Sequence, residues 1–248
     1  MTRGLTCFPL VLVLVGAMLA CDRPRSSPID FSRELVVGFA NESPFSYLDY
    51  RTGELVGEAP AVLRRILPSL GGSSLSGRLT DFGALVPGLK AKRFDLVAAG
   101  MYITPPRCKN VPFSEPTYCV AESLLVPAGN PAGLRDFDDL ERQKTSAFAV
   151  VRGTAEHTAL EELGLAPPQL AIYPDAPSAF DALRVGRVAA FAVNALGGRD
   201  LLRRAGTSAG IELVMPPKES PYAAARGCGA FAFRKSDRAA RDALNRAL

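Results

Sequence analysis

Residues 100–108 read G-M-Y-I-T-P-P-R-C, and this stretch decides the fold. It follows a short apolar run, Phe94 to Ala99, that predicts a buried parallel strand. Gly100 lets the backbone turn, Tyr102 sits at the turn, and Arg107 follows a Thr-Pro-Pro hinge. In an open α/β sheet, ligands bind outside the carboxyl ends of the strands, which is where Tyr102 and Arg107 would lie. An arginine there offers a rigid fork of donors for a carboxylate, and an aromatic ring offers a face for a cation.

Outward from this stretch, strand and helix signals alternate. Glu34 to Ala40 predicts a first buried strand, ending in the loop Asn41 to Phe45. Arg51-Thr52-Gly53 is a hairpin-like turn, and Glu58 to Leu70 has apolar residues near helical spacing until Gly71-Gly72 stops it. Leu75 to Phe82 predicts a second strand and Leu85 to Lys92 a short helix. Beyond the arginine, residues 111–113 and 121–127 are extended, and Pro127-Ala-Gly-Asn-Pro131 breaks the chain. A second set follows: strands at 147–151, 170–173, 189–194 and 211–215, with helices at 156–163, 178–185 and 196–205. Residues 229–234 are extended and 237–248 helical. Such alternation implies parallel sheet with crossovers. Two α/β sets with Pro/Gly-marked crossings imply two lobes around a cleft. If 229–234 returns to the first sheet, the crossings form a two-segment hinge, a device suited to closing on a ligand. The expected division is 1–20 leader, 21–33 tether, 34–126 plus 229–248 lobe 1, and 127–228 lobe 2.

Composition narrows the function. A hydrophobic content of 48% supplies an ample core, and the net charge of +4 is spread along the chain rather than clustered as a nucleic-acid footprint would be. Arg3 precedes the apolar run Phe8 to Ala20, which has the charge, length and small final residue of a secretory signal peptide. The M-L-A-C run ending at Cys21 resembles a lipoprotein processing site, with an ordinary signal-peptidase site as the alternative. An acylated Cys21, a polar tether and Asp22 after the cysteine predict a periplasmic domain anchored by lipid to the cytoplasmic membrane. Cys108, Cys119 and Cys228 then remain, enough for one disulfide and one free buried thiol, with the pairing open. No Cys/His spacing suggests a metal and no cofactor is called for. His157, the only histidine, is read as structural.

The first strand ending in F-A-N-E-S-P-F, the segment D-F-G-A-L-V-P-G-L-K, A-A-G-M-Y-I-T-P-P-R, R-G-T at 152–154, G-R-V-A-A-F-A at 186–192 and G-A-F-A-F-R-K at 229–235 together resemble the solute-binding proteins of ABC importers. The resemblance is to their amino-acid-binding branch, and within it most to the ectoine/hydroxyectoine-binding proteins. It implies an α/β, two-lobed periplasmic-binding-protein-like (type II) fold and a monomer that delivers a small zwitterionic compatible solute to permease subunits. It also implies an aromatic cage of Phe45, Phe82 and Tyr102 around a cationic ring, with Glu42 facing the cation. Arg107 would clamp the carboxylate, and Thr154, at a helix N-terminus with free N–H groups, would supply a second contact from the far lobe.

One departure concerns Asn194. Binders of ordinary α-amino acids usually carry an acid there for the primary ammonium, whereas ectoine has a diffuse amidinium better matched by ring faces. A simple helix cap is the plain alternative for Asn194. The competing functions are a receptor for polar or cationic amino acids and, from another class, a cyclohexadienyl dehydratase-type enzyme using Glu42 as general acid.

Overall fold

A computed structural model describes residues 28–224 and 226–248; the expected leader and the lipidation at Cys21 lie outside them. The chain runs β1 (Leu35–Phe39), a small hairpin of β2 (Tyr47–Leu48) and β3 (Leu55–Val56), α1 (Glu58–Ile66), β4 (Leu75–Leu79), α2 (Leu85–Lys90), β5 (Leu96–Tyr102) and α3 (Pro105–Cys108). It continues through β6 (Tyr118–Pro127), α4 (Phe137–Arg142), β7 (Phe148–Val151), α5 (Ala155–Glu162), β8 (Leu170–Tyr173), α6 (Ala176–Arg184), β9 (Ala190–Asn194) and α7 (Ala195–Ala205). Last come β10 (Ile211–Val214), α8 (Pro221–Ala224), β11 (Arg226–Ala232) and α9 (Arg238–Ala247).

The strands join in the order β4-β1-β5-β11-β6-β9-β7-β8, with β10 also paired to β6. Within each half the pairing is parallel: β1 with β4 and β5, and β7 with β8 and β9. The strands that cross between the halves are antiparallel to their neighbours, so the sheet is mixed rather than parallel throughout. The reason lies in β6, which is longer than its apolar run suggests. Its first residues pair with β11, and from Glu122 onward it pairs with β9 and then β10. One strand thus serves both halves, and β11 brings the chain back to β5. The fold is the two-lobed type II arrangement with two crossings and a cleft between them.

Cores form on each side. Leu35, Val37 and Phe39 of β1 pack with Leu63 of α1, Phe231, Phe233 and Leu244 of α9. In the other half Leu124, Val126, Phe148 and Val150 pack with Phe137, Leu140 and Leu160. A third cluster joins Phe82, Ala99 and Met101 to Val151, Phe191 and Val193, so the halves touch through apolar side chains at the cleft.

Three expectations need correction. Strand β5 does not end before Gly100 but runs through it to Tyr102. Gly100 has φ 62°, and a Cβ there would stand 2.6 Å from the Phe45 ring, so a glycine keeps the strand going past a side chain of the site. The Thr-Pro-Pro segment is no hinge: Pro105 and Pro106 open the single turn α3, where a missing N–H costs nothing. Finally, Cys119 and Cys228, directly opposite on β6 and β11, form a disulfide, while the free Cys108 is exposed rather than buried, because α3 has no buried residue. The crosslink staples the two crossing strands and closes a sequence separation of 109 residues, a constraint that typically contributes about 2–4 kcal/mol.

Candidate functional site

The carboxyl ends of two parallel strand sets face each other across the cleft. From one half, β1 leads to Glu42 and Phe45, β4 to Phe82, and β5 ends at Tyr102 with Arg107 on the following turn. From the other, β7 leads to Thr154 and Glu156, and β9 ends at Asn194. Glu42, Phe45, Phe82, Tyr102, Arg107, Thr154 and Asn194 all line one cavity between the two halves. Ala99, Val151, Phe191 and Val193 supply its apolar walls. That mixture of apolar walls and a few fixed polar groups suits a small polar molecule.

Arg107 is the central cation. Its Nη1 donates to the Tyr102 carbonyl at 2.8 Å and its Nη2 to the Gly153 carbonyl at 2.9 Å, on the opposite side of the cleft. Its guanidinium carbon lies 5.5 Å from the centre of the Phe82 ring. Burial lowers its pKa, opposed by the nearby Glu156. A guanidinium has five N–H donors, so two carbonyl bonds leave donors for a ligand oxygen. The reach to Gly153 depends on close approach of the two loops. Gly153 has φ 77°, and a Cβ on it would stand 2.6 Å from the Gly83 Cα.

The rings are fixed from behind. Phe45 stacks on Tyr118 with centroids 4.6 Å apart, and the Tyr118 hydroxyl donates to the Gly100 carbonyl at 2.6 Å. The Tyr102 ring packs against Gly227 of β11, where a Cβ would come within 1.8 Å of it. The Tyr102 hydroxyl is buried without a hydrogen-bond partner, as is Oε1 of Glu42. The loop that carries Glu42 is held by its own backbone, with Phe45 and Ser46 N–H groups both donating to the Glu42 carbonyl at 2.9 Å. Unsatisfied buried polar atoms converging on a cavity are what a polar ligand would complete.

Thr154 and Asn194 have structural duties as well. Thr154 caps α5 by accepting from the His157 N–H at 3.2 Å, and its hydroxyl donates to the Val151 carbonyl at 2.9 Å. Its own N–H is spent on that carbonyl at 3.3 Å, so it is not free for an anion as expected. Asn194 caps α7, its Oδ1 accepting from the Gly197 N–H at 2.9 Å. His157 accepts from the Gly153 N–H at 3.1 Å through Nδ1, which holds the loop behind Arg107.

Sequence reading missed three contributors. Tyr118 adds a fourth ring behind the cage. Glu156, buried on the first turn of α5, lines the cavity, and Glu122 of β6 stands beside it with Oε2 buried and without a partner. The acid absent at Asn194 is therefore present one strand over, because Glu122 is the register partner of Asn194. Burial first, then the charge of Glu156 and the hydrogen bond to it, hold the Glu122 carboxyl well above the usual carboxylate range. Glu42 is pushed up to about 8 by burial first, then by Glu156 and Asp175. At the cleft's rim, Arg204 of α7 donates to the Ser43 hydroxyl at 2.6 Å and lies 4.4 Å from the centre of the Tyr47 ring. Buried Asp200 accepts from that same hydroxyl and from Arg204. These contacts join the two halves outside the cavity.

Raised carboxyl pKa values have a sign. Between the unfolded value near 4.5 and the folded value of about 8, the folded chain holds a proton at Glu42 that the unfolded chain releases. Stability from this source is complete at low pH and is lost as pH rises through the folded value. The melting temperature of the ligand-free protein should therefore fall by several degrees between about pH 5 and about pH 8.5, since about 1 kcal/mol moves it about 2–4 °C. Glu42→Gln should flatten that decline in thermal melts across the range; an unchanged slope would mean that Glu42 is ionised in the empty cleft.

Comparison with known proteins agrees with this geometry. Residues 35–248 match the family described as bacterial extracellular solute-binding proteins, family 3. A probable amino-acid ABC transporter periplasmic-binding protein, y4tE of Sinorhizobium fredii, is 34% identical over 218 residues, 86% of this chain and 71% of that protein. The crystal structure of EhuB in complex with hydroxyectoine superposes with a TM-score of 0.78 at 31% identity, covering 85% of this chain and 80% of that one. An ancestral arginine-binding protein bound to glutamine gives 0.75 at 25% identity, covering 86% and 89%. The chain belongs to the bacterial extracellular solute-binding proteins of family 3.

Proposed function

We propose that this protein is the extracytoplasmic receptor of an ABC importer and that it captures an ectoine-type zwitterion between its lobes. The observation that carries the reading is the convergence of three ring faces, Phe45, Phe82 and Tyr102, with Glu42 and Arg107 on one small cavity. Arg107 takes the carboxylate with the donors its two carbonyl bonds leave over. The rings and Glu42 take the diffuse cation, each face contributing on the order of 0.5–2 kcal/mol once water is excluded. Asn194, whose amide nitrogen is left over from capping, meets the solute from the other lobe beside Thr154, so that capture joins the segments 34–126 and 229–248 to 127–228. The similarity to the EhuB complex with hydroxyectoine supports this ligand class. A second reading, a polar or cationic amino acid, is favoured by buried Glu156 in the cavity wall and by the likeness to the arginine-binding ancestor.

A calorimetric panel of ectoine, hydroxyectoine, glycine betaine, glutamine, histidine and arginine separates the two. Ectoine or hydroxyectoine should bind most tightly. An amino acid that binds more tightly than both would end the ectoine assignment and leave the receptor standing. Arg107→Ala should cost about 2–5 kcal/mol of binding, because it leaves a buried carboxylate unpaired. Arg107→Lys should recover only part, since the two-pronged geometry is lost. A loss below about tenfold, or about 1.4 kcal/mol, would place the carboxylate elsewhere.

We propose Cys21 as a lipid attachment point that would hold the receptor near its permease, on the apolar run and small residue before it. In cell fractionation, Cys21→Ser should move the protein from membrane to soluble fractions or leave it unprocessed. Unchanged membrane association and processing would remove the anchor from this account.

A further inference from the structure

The cavity carries more carboxyl groups than the Arg107 guanidinium can pair. Glu42 and Glu156 line it, Glu122 stands behind Glu156, and the cation among them is Arg107, already shared between two backbone carbonyls. Among the described residues, no Lys, Arg or His forms an ion pair with Glu42, Glu122 or Glu156. A carboxyl oxygen buried with neither a hydrogen-bond partner nor a cation, as Oε2 of Glu122 is, favours the protonated acid, which can then donate to a neighbouring carboxylate. Placement decides which carboxyl keeps the proton. Glu156 is on the first turn of α5, where the helix dipole favours a negative charge, whereas Glu122 lies inside the sheet with Oε2 buried and without a partner.

We propose that Glu156, backed by Glu122, is a second cation-binding element of the cleft, which holds a proton while the cleft is empty and exchanges it for the positive charge of the solute. In the empty cleft Glu122 is the acid and donates to the Glu156 carboxylate. A solute cation placed against Glu156 lowers the cost of a second negative charge, and Glu122 releases its proton to solvent. Glu156 would touch the solute; Glu122 is the positioning residue. The proposal rests on the solute-receptor reading but not on the choice between amidinium and ammonium, since either supplies the charge.

The groups around Glu122 fit this exchange. Tyr118 on its own strand and Tyr102 on β5 have their phenol pKa values raised, by burial first, so both stay neutral donors. Asn194 of β9, opposite Glu122 in register, is neutral and occupied as a cap. From α5 come Glu156 itself and His157, whose Nδ1 is engaged by the Gly153 N–H. Beside β5, Arg107 interacts with Glu156, and Glu42 and Asp175 complete the charged surroundings. On β11, Arg226 pairs with Ala121 next to Glu122 and is exposed to solvent.

Glu42 also carries a raised pKa, so the test removes it first. Glu42→Gln protein is titrated near pH 7.5 with ectoine and with L-arginine, in buffers of different ionisation enthalpy. For whichever of the two binds, the observed heat should still depend on the buffer, reporting release of a substantial fraction of a proton per solute. Adding Glu122→Gln should abolish that dependence, with a weaker loss of binding than Glu156→Gln produces. Buffer-independent heats in the Glu42→Gln protein would overturn the exchange while leaving the receptor reading intact. If neither solute binds even the unaltered protein, the receptor's ligand class fails on its own. The proton itself is then read without ligand, from the infrared carbonyl stretch of a protonated carboxylic acid in Glu42→Gln protein. Its presence, and its loss on adding Glu122→Gln, supports the shared proton; its absence overturns it.

Discussion

The structure turns on one half-buried cation. Arg107 spans the cleft with carbonyl bonds to Tyr102 on its own side and Gly153 on the other, and it rests against Phe82. A guanidinium can be kept in such a place because its charge is spread over a plane and is weakly hydrated compared with an ammonium. Its position also ties binding to shape. The bond to Gly153 forms only while the lobes are together, so a carboxylate that draws on the remaining donors fixes the same group that bridges them. The apolar cluster between Phe82 and Val151 and the Ser43–Asp200–Arg204 contacts at the rim act in the same direction. Three sets of contacts thus hold the halves together, and a solute captured between them would need to supply only the difference between two arrangements.

Much of this was legible in the chain. The stretch around Tyr102 and Arg107 could be read because a buried strand followed by a turn and an arginine has few uses, and the seven residues named from sequence do share a cavity. Local signals gave most strands and helices to within a few residues. What failed were features that depend on partners far away in sequence. The length and antiparallel pairing of β6 follow from its sharing by two half-sheets, which no periodicity within residues 118–127 records. The helix α4 was missed although Asp136 accepts from the Asp139 N–H at 3.3 Å, a capping pattern present in the sequence.

Glu122 and Glu156 were illegible for a more instructive reason. Each has an ordinary local explanation, one as a polar residue in a strand, the other as an acid in the first turn of a helix. Only the order β6-β9-β7, with α5 following β7, brings them together. Asn194 shows the converse. The position itself is neutral, as the sequence shows, but its neighbour across the strands is the acid Glu122.

The central claim is that a small zwitterion lies between the lobes with its carboxylate on Arg107 and its cation among Phe45, Phe82, Tyr102 and the acids. A crystal structure of the protein with the tightest-binding solute tests it most directly. The account predicts the carboxylate within hydrogen-bond distance of the Arg107 guanidinium and the cationic group against the ring faces, within reach of Glu42 or Glu156. A solute bound with its carboxylate away from Arg107, or outside the cleft, would contradict it.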